Sequence, residues 1–258
     1  MNIIVCIKQV PDVDDIKWTK ENNLDRSMML SKLNENDEWA LDYAVKIKNQ
    51  FKNVTITALS MGPNQAKEVL DYALAKGADR AILLSDKLFS GSDTYATAKI
   101  LSCAIRKYLN DFDLIITGQI ASDGDTAQTP VALAQMLEIY DVTNVVEIYN
   151  ADRKTAIVAQ KLDNVINMFE VVTPCLLAVK KECDRKAKPK IDDYIRAQNT
   201  RIEVLGAEDL NLKKEDIGII GSPTVVYKAV RPENTKNAVE IKDNYSKEIL
   251  DFLLKVKK

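Results

Sequence analysis

Four short apolar runs, each followed by a stretch of helical spacing, constrain this chain more than anything else in it: Asn2 to Ile7 (N-I-I-V-C-I), Val54 to Leu59, Arg80 to Leu84 and Asp113 to Thr117. Runs this short, without polar alternation, suit strands buried on both faces. After the first, Asn34-Glu35-Asn36-Asp37 reads as a helix start, and Trp39, Ala40, Tyr43, Ala44 and Ile47 then recur at the helical period. A second helix is predicted over 65–76 through Val69, Tyr72, Ala73 and Lys76, stopped by Gly77. A third is predicted over 92–109, opened by Ser92 or Asp93, and a fourth over 131–137. Strand and helix in strict alternation predict an α/β fold, a doubly wound and mostly parallel sheet.

After Glu138 the alternation stops. Val142 to Tyr149, Thr155 to Leu162, Val165 to Val172 and Cys175 to Val179 are strand-like with short polar turns. They predict an antiparallel extension or edge of the same core, and only C-L-L-A-V has the look of a strand buried on both sides. Residues 180–200 are highly charged and read as a solvated loop, with apolar Ile191 standing beside Pro189. A short strand is expected over 201–205. From Ile217 to Ile241 there is no helical period, and Gly218, Gly221, Pro223 and Pro232 punctuate the run. An arm of about 25 residues without a core pattern points to a segment that wraps a partner subunit. Tyr245 to Val256 closes the chain as an amphipathic helix through Ile249, Phe252, Leu253 and Val256. The expected division is a nucleotide-binding α/β body over 1–216 and a C-terminal arm and helix over 217–258.

Composition removes several classes of function. The chain has no histidine, which takes away the usual general base, the Ser-His and Cys-His pairs and most zinc sites. The four cysteines Cys6, Cys103, Cys175 and Cys183 form no C-x-x-C, so free thiols are expected rather than disulfides or a metal centre. No catalytic side chain and no metal ligand suggests itself, and chemistry by a bound cofactor becomes the better expectation. A net charge of −2 offers no basic field for nucleic acid. No apolar run reaches the roughly 18–20 residues of a membrane span. The N-terminus enters strand-like sequence directly, without a signal-peptide pattern, so a cytoplasmic protein is expected.

The stretch that points to a ligand is Gly118-Gln119-Ile120-Ala121-Ser122-Asp123-Gly124-Asp125-Thr126-Ala127-Gln128-Thr129, between the fourth strand and its helix. At a strand-to-helix crossover, the first helical N–H groups lack intrahelical partners and face the crevice beyond the strand ends. The loop therefore reads either as a cradle for the diphosphate and ribose of an adenine nucleotide or as an ordinary capped connection. Gly124 and Ala127 remove side-chain bulk, and Thr126 and Gln128 offer hydrogen bonds to phosphate and ribose oxygens. Asp123 and Asp125 would repel phosphate, and are expected on caps, hydroxyls or solvent. The common G-x-G-x-x-G fingerprint is absent after the first strand.

Several segments together resemble one family, the beta subunit of electron-transfer flavoprotein. They are Ile7-Lys8-Gln9-Val10-Pro11-Asp12, Leu59-Ser60-Met61-Gly62-Pro63, Ala73 to Ala81, the loop Gly118 to Thr129, and Gly221-Ser222-Pro223-Thr224. The resemblance covers essentially the whole length. It implies an adenine-nucleotide alpha-hydrolase-like fold and a heterodimer with an alpha subunit that carries an electron-transferring FAD. It implies that the beta subunit binds AMP as a structural ligand, or a second FAD that splits an electron pair in bifurcating members. By position, the nucleotide site comprises Cys6, Ile7, Lys8 and Gln9; Asn34, Glu35, Asn36 and Asp37; Met61 and Gly62; and the loop 118–129. Cys6 and Met61 are expected to offer backbone rather than sulfur, with core packing as the alternative. Lys8 and Gln9 would lie near a flavin ring.

The loop reads D-G-D-T-A-Q, which is similar to bifurcating-type members rather than to the D-D-D-C-N-Q-T of AMP-binding ones. For a bifurcating member the implied donor is NADH, and one electron goes to the alpha-subunit FAD and the other to a low-potential acceptor such as ferredoxin. The chain departs from the family where Gln119-Ile120 replaces a basic residue and Gln, where Thr129-Pro130 replaces V-G-P, and across 159–174. Ile191 falls where the family carries the apolar anchor that docks into an acyl-CoA or hydroxy-acid dehydrogenase, in the loop 180–200. The rival from another class is a non-redox adenine-nucleotide-binding regulatory module, which has no need of the arm after Ile217. A nucleotide-activating ligase would want a glycine-rich loop near the first strand and a catalytic lysine or histidine.

Overall fold

A computed structural model of the chain describes residues 1–12, 31–180, 188–225 and 244–256. In chain order the elements are β1 (Asn2–Cys6), β2 (Gln9–Pro11), β3 (Ser31–Leu33), α1 (Glu35–Gln50), β4 (Thr55–Met61), α2 (Lys67–Lys76), β5 (Arg80–Leu84), α3 (Thr94–Tyr108) and β6 (Leu114–Gly118). There follow α4 (Thr129–Leu137), β7 (Tyr140–Ala151), β8 (Thr155–Leu162), β9 (Val165–Val172), β10 (Cys175–Val179), α5 (Ile191–Gln198), β11 (Glu203–Leu205) and α6 (Tyr245–Val256).

The main sheet runs β11-β5-β4-β1-β6-β10-β7-β8-β9. Every pairing from β11 through β7 is parallel, and β7-β8-β9 is an antiparallel meander. The expected doubly wound sheet with an antiparallel extension is what the structure has. The chain leaves β1 for β4 and β5 on one side, then returns to β6 on the other. Strand order thus reverses at β1/β6, the point at which open sheets of this kind take a ligand beyond the carboxyl ends of their strands. Successive β1 side chains point to opposite faces, so Ile3 and Val5 join one core and Ile4 the other. The first core lies under α1 and α2, with Trp39, Leu41, Leu70 and Leu74; the second lies under α3 and α4, with Ile100, Leu101, Ile105 and Leu133.

Several expectations change. β10 is not part of the extension: it lies between β6 and β7, parallel to both, and every residue of it is buried. Past the end of β1, Pro11 stands in β2, which pairs with β3 in a separate two-stranded ribbon, where a residue without an N–H is tolerated. The helix predicted from Gln65 splits into a 3-10 turn, Asn64–Ala66, and α2. The charged stretch 180–200 is not all loop. Residues 181–187 lie outside the described residues, but Ile191–Gln198 is α5, packed on α2 through buried Ala197 and a Tyr72–Tyr194 ring contact at 6.5 Å.

Residues 226–243 of the expected arm and Cys183 lie outside the described residues. The arm's first residues pack on the body. Ile217 is buried in the second core, and Ser222 and Thr224 bond to Asp93 at the start of α3. Gly218 (φ 62°) approaches Leu88 so closely that a Cβ there would lie 2.2 Å from the Leu88 carbonyl oxygen. Among the described residues no helix is long and apolar enough to cross a membrane.

Candidate functional site

The crevice at β1/β6 is walled by three segments: residues 6–9 after β1, 34–37 at the head of α1, and the loop 118–128 between β6 and α4. Asn34 is a typical N-cap residue, yet it makes no side-chain cap bond to its own helix. Its Nδ2 donates to the Ile120 carbonyl at 2.9 Å, and its Oδ1 accepts from the Ser122 N–H at 3.3 Å. Asn36 Nδ2 also donates to the Ile120 carbonyl, at 3.1 Å. Asp37 accepts from the Lys8 N–H at 2.8 Å and from the Gly118 N–H at 3.0 Å. The head of α1 is therefore spent on the loop, and Glu35, Asp37 and Glu38 in its first turn complement the helix dipole. Asp37 is pushed up to about 7, first by burial, which the Asn34 side chain, the two N–H bonds and the Lys8 charge oppose.

The loop has two halves of different character. Residues 118–122 are held from both sides. Gln119 is buried, donates its N–H to Val179 at 2.7 Å and accepts from the Asn144 N–H at 2.7 Å, which ties the loop to β10 and β7. Residues 122–126 are exposed and held lightly. The Lys8 ammonium meets Asp123 at 2.6 Å, Thr94 Oγ1 approaches Gln128 Oε1 at 3.4 Å, and Gly124 and Asp125 turn back to the Ala121 carbonyl. Asp125 (φ 51°) and Ala127 (φ 55°) take left-handed backbone without being glycine. A Cβ placed on Gly124 would meet nothing within 4 Å, so open space lies against that backbone. Among the described residues the N–H groups of Thr126, Ala127 and Gln128 have no protein acceptor.

The structure brings Lys8, Asn34, Asn36, Asp37 and 118–129 together. Cys6 and Met61 pack toward the second core. The Cys6 thiol is pushed up to about 12 by burial and then by the Asp37 charge, so it stays protonated and inert. Gly62 closes β4, donating its N–H to the Leu84 carbonyl at 3.0 Å. Gln9 turns to the ribbon, donating to Ser31 Oγ at 2.7 Å and the Gln65 carbonyl at 3.2 Å. Glu35 is exposed and lines a separate hollow of about 420 Å³ with Ser31, Leu33, Glu38, Glu68 and Tyr72. Three carboxylates against one ammonium, Lys32, leave that wall net negative and disfavour phosphate, so the crevice is the better candidate. Sequence reasoning missed the Lys8–Asp123 pair and the commitment of Asn34, Asn36 and Asp37 to backbone. The available signal was a cap residue and a first-turn carboxylate opposite a strand-end glycine.

The electron transfer flavoprotein domain model matches residues 24–209, which span β3 to β11 and include β6 but not β1. The chain is 40% identical over 256 residues to an electron transfer flavoprotein subunit beta of Thermoanaerobacterium thermosaccharolyticum, spanning 98% of this chain and 96% of the relative. It is 38% identical over 233 residues to subunit CarD of the caffeyl-CoA reductase-Etf complex of Acetobacterium woodii, spanning 90% and 88%. It is 35% identical over 251 residues to protein FixA of Azotobacter vinelandii, spanning 95% and 89%.

Proposed function

The chain belongs to the electron transfer flavoprotein family, on the beta-subunit side, and from that premise we propose that it binds FAD in the β1/β6 crevice and passes electrons to the FAD of an alpha subunit. The observation that carries this reading is the loop 118–129. It lies at the switch point of the sheet, leaves three backbone N–H groups without an acceptor among the described residues, and keeps open space against Gly124. Residues 124–128 would hold the diphosphate by backbone, Thr126 and Gln128 its oxygens or the ribose, and Lys8 would supply the cation. Asp123 already holds Lys8, so an incoming phosphate competes with that carboxylate.

When bound, FAD supplies acceptance of a hydride equivalent and release of electrons singly. The chain's own task is to bind, orient and shield. Gly124 lets the backbone approach, and Cys6, half-buried and held protonated, keeps reactive thiolate out of the crevice. The D-G-D-T-A-Q loop supports FAD over AMP, and with it a bifurcating role with NADH as donor and ferredoxin as second acceptor. AMP in the same crevice, in a non-bifurcating shuttle, is the second reading. A CoA-thioester reductase or dehydrogenase is the partner class, because one relative is named as part of a caffeyl-CoA reductase complex. Ile191, exposed at the start of α5, would be its contact, and the expected arm 217–258, beyond its first residues packed on the body, would wrap the alpha subunit in the cytoplasm.

The test is to express the chain with its candidate alpha subunit, purify without added nucleotide, denature, and quantify FAD and AMP. Two FAD per heterodimer is the expected result. One FAD and one AMP would replace bifurcation by a plain shuttle. No bound nucleotide beyond the alpha-subunit FAD would defeat the crevice reading.

A further inference from the structure

One carboxylate holds the ends of β1 and β6 together. Asp37 stands in the first turn of α1, where a carboxylate commonly bonds back to its own N-cap. Besides the side chain of its N-cap residue Asn34, it reaches out to distant backbone. One oxygen accepts from the Lys8 N–H just past β1 at 2.8 Å, and the other accepts from the Gly118 N–H at the end of β6 at 3.0 Å. The residue is 6% exposed. A Cβ on Gly118 would lie 2.3 Å from the same carboxylate oxygen and 2.8 Å from Asn36 Cβ, so the approach exists because residue 118 is glycine. Asn34 completes the clamp. Its N–H donates to the Lys8 carbonyl at 2.9 Å, and its side chain grips Ile120 and Ser122.

We propose that Asp37 is a positioning residue rather than a nucleotide contact: with Asn34 and Asn36 it fixes residues 118–122 as a rigid floor, and so sets how closely the backbone of 124–128 approaches the ligand. This rests on the nucleotide-binding reading of the crevice. Both side-chain oxygens already accept backbone N–H groups, the Asn34 side chain bonds to the carboxylate as well, and at this burial its remaining lone pairs are shut off from a ribose in the crevice. The ionised form accepts both bonds at full strength; protonation places a hydrogen on one oxygen and weakens its bond to one of the two N–H groups. The titratable and charged groups facing Asp37 among the described residues are Cys6 on β1 and Lys8 beyond it. The loop after β6 presents backbone to it, and Asp123 acts on it only through Lys8. Cys6 stays protonated, and burial brings Asp37 itself into the neutral range.

The experiment uses the full chain as wild type and Asp37→Asn, which keeps the size and removes one acceptor. Amide proton shifts of Lys8 and Gly118 are followed from pH 5 to 9, and FAD and AMP affinities are measured by equilibrium dialysis at pH 8. In the wild type the two amides are expected to move on one common curve, although 110 residues separate them in sequence. In Asp37→Asn both shifts become flat, and FAD or AMP binds roughly ten- to a hundredfold more weakly while the circular dichroism spectrum is kept. Independent curves for the two amides, or Asp37→Asn affinity equal to wild type, would overturn the proposal. The wild-type titration decides it even if the variant does not fold. A wild type that binds neither nucleotide would overturn the underlying reading, and with it the role assigned to Asp37.

Discussion

Asp37 shows what a functional crevice costs at the scale of one residue. Its carboxyl titrates near 7 in the folded chain, because burial disfavours the charge more than its hydrogen bonds and Lys8 restore it. The unfolded chain releases the same proton near the ordinary carboxyl value of 3.8. Between those values the folded state binds the extra proton, so this group's contribution is fully present below about pH 4 and is lost as pH rises through about 7. Three units correspond to roughly 4 kcal/mol at the upper limit. Urea denaturation at several pH values is expected to show wild-type stability falling relative to Asp37→Asn across that window. A constant difference would mean that Asp37 keeps an ordinary carboxyl. None of this was legible in the sequence. Asn34 to Asp37 reads as a helix start, which it is, but bonds to Gly118 span more than 80 residues and leave no local pattern.

At the scale of elements, much more was legible. The runs at 80–84, 155–162, 165–172 and 175–179 are strands with those bounds, and 245–256 is a helix, because apolar periodicity carries that information. What it does not carry is pairing partner, so β10's place between β6 and β7 could not be read from its own residues. The helix α5 was hidden by charge. Its signal was Ile191, Tyr194 and Ile195 at helical spacing, with Asp193 accepting from the Lys190 N–H at 3.0 Å. At the start of α3, Ser92 and Asp93 both have the chemistry of a cap. Asp93 takes the role, accepting from Ala96 N–H at 2.9 Å. It also accepts from the N–H and hydroxyl of Thr224. Burial pushes the Asp93 carboxyl up, but these bonds outweigh it and leave it below the ordinary range. Asp93→Ala is expected to cost about 1–2 kcal/mol, measured by chemical denaturation, and to free the segment around Thr224 to proteolysis. An unchanged midpoint and cleavage pattern would mean that Gly218 and Ile217 anchor the arm alone.

At the scale of the whole molecule, apolar surface is distributed unevenly. The second core closes around Ile217, yet Tyr245, Ile249, Leu250, Phe252, Leu253 and Leu254 of α6 are all exposed. The edge strand β9 exposes Val165, Ile166, Met168, Phe169 and Val172. A soluble monomer seldom leaves an amphipathic helix and an apolar edge strand bare. In the proposed heterodimer, the alpha subunit covers the helix. Deleting residues 244–258 is expected to leave the melting temperature of the body unchanged and to abolish co-purification with the alpha subunit. Retained co-purification would place the interface elsewhere. The cofactor reading requires less than this: a nucleotide must occupy the crevice at β1/β6. The most direct measurement is the crystal structure of the heterodimer purified without added nucleotide. Density for an adenine nucleotide over Gly124, with its phosphates against the N–H groups of Thr126 to Gln128, is the expected result. A crevice filled by protein side chains, or the nucleotide bound at another face of this chain, would contradict it.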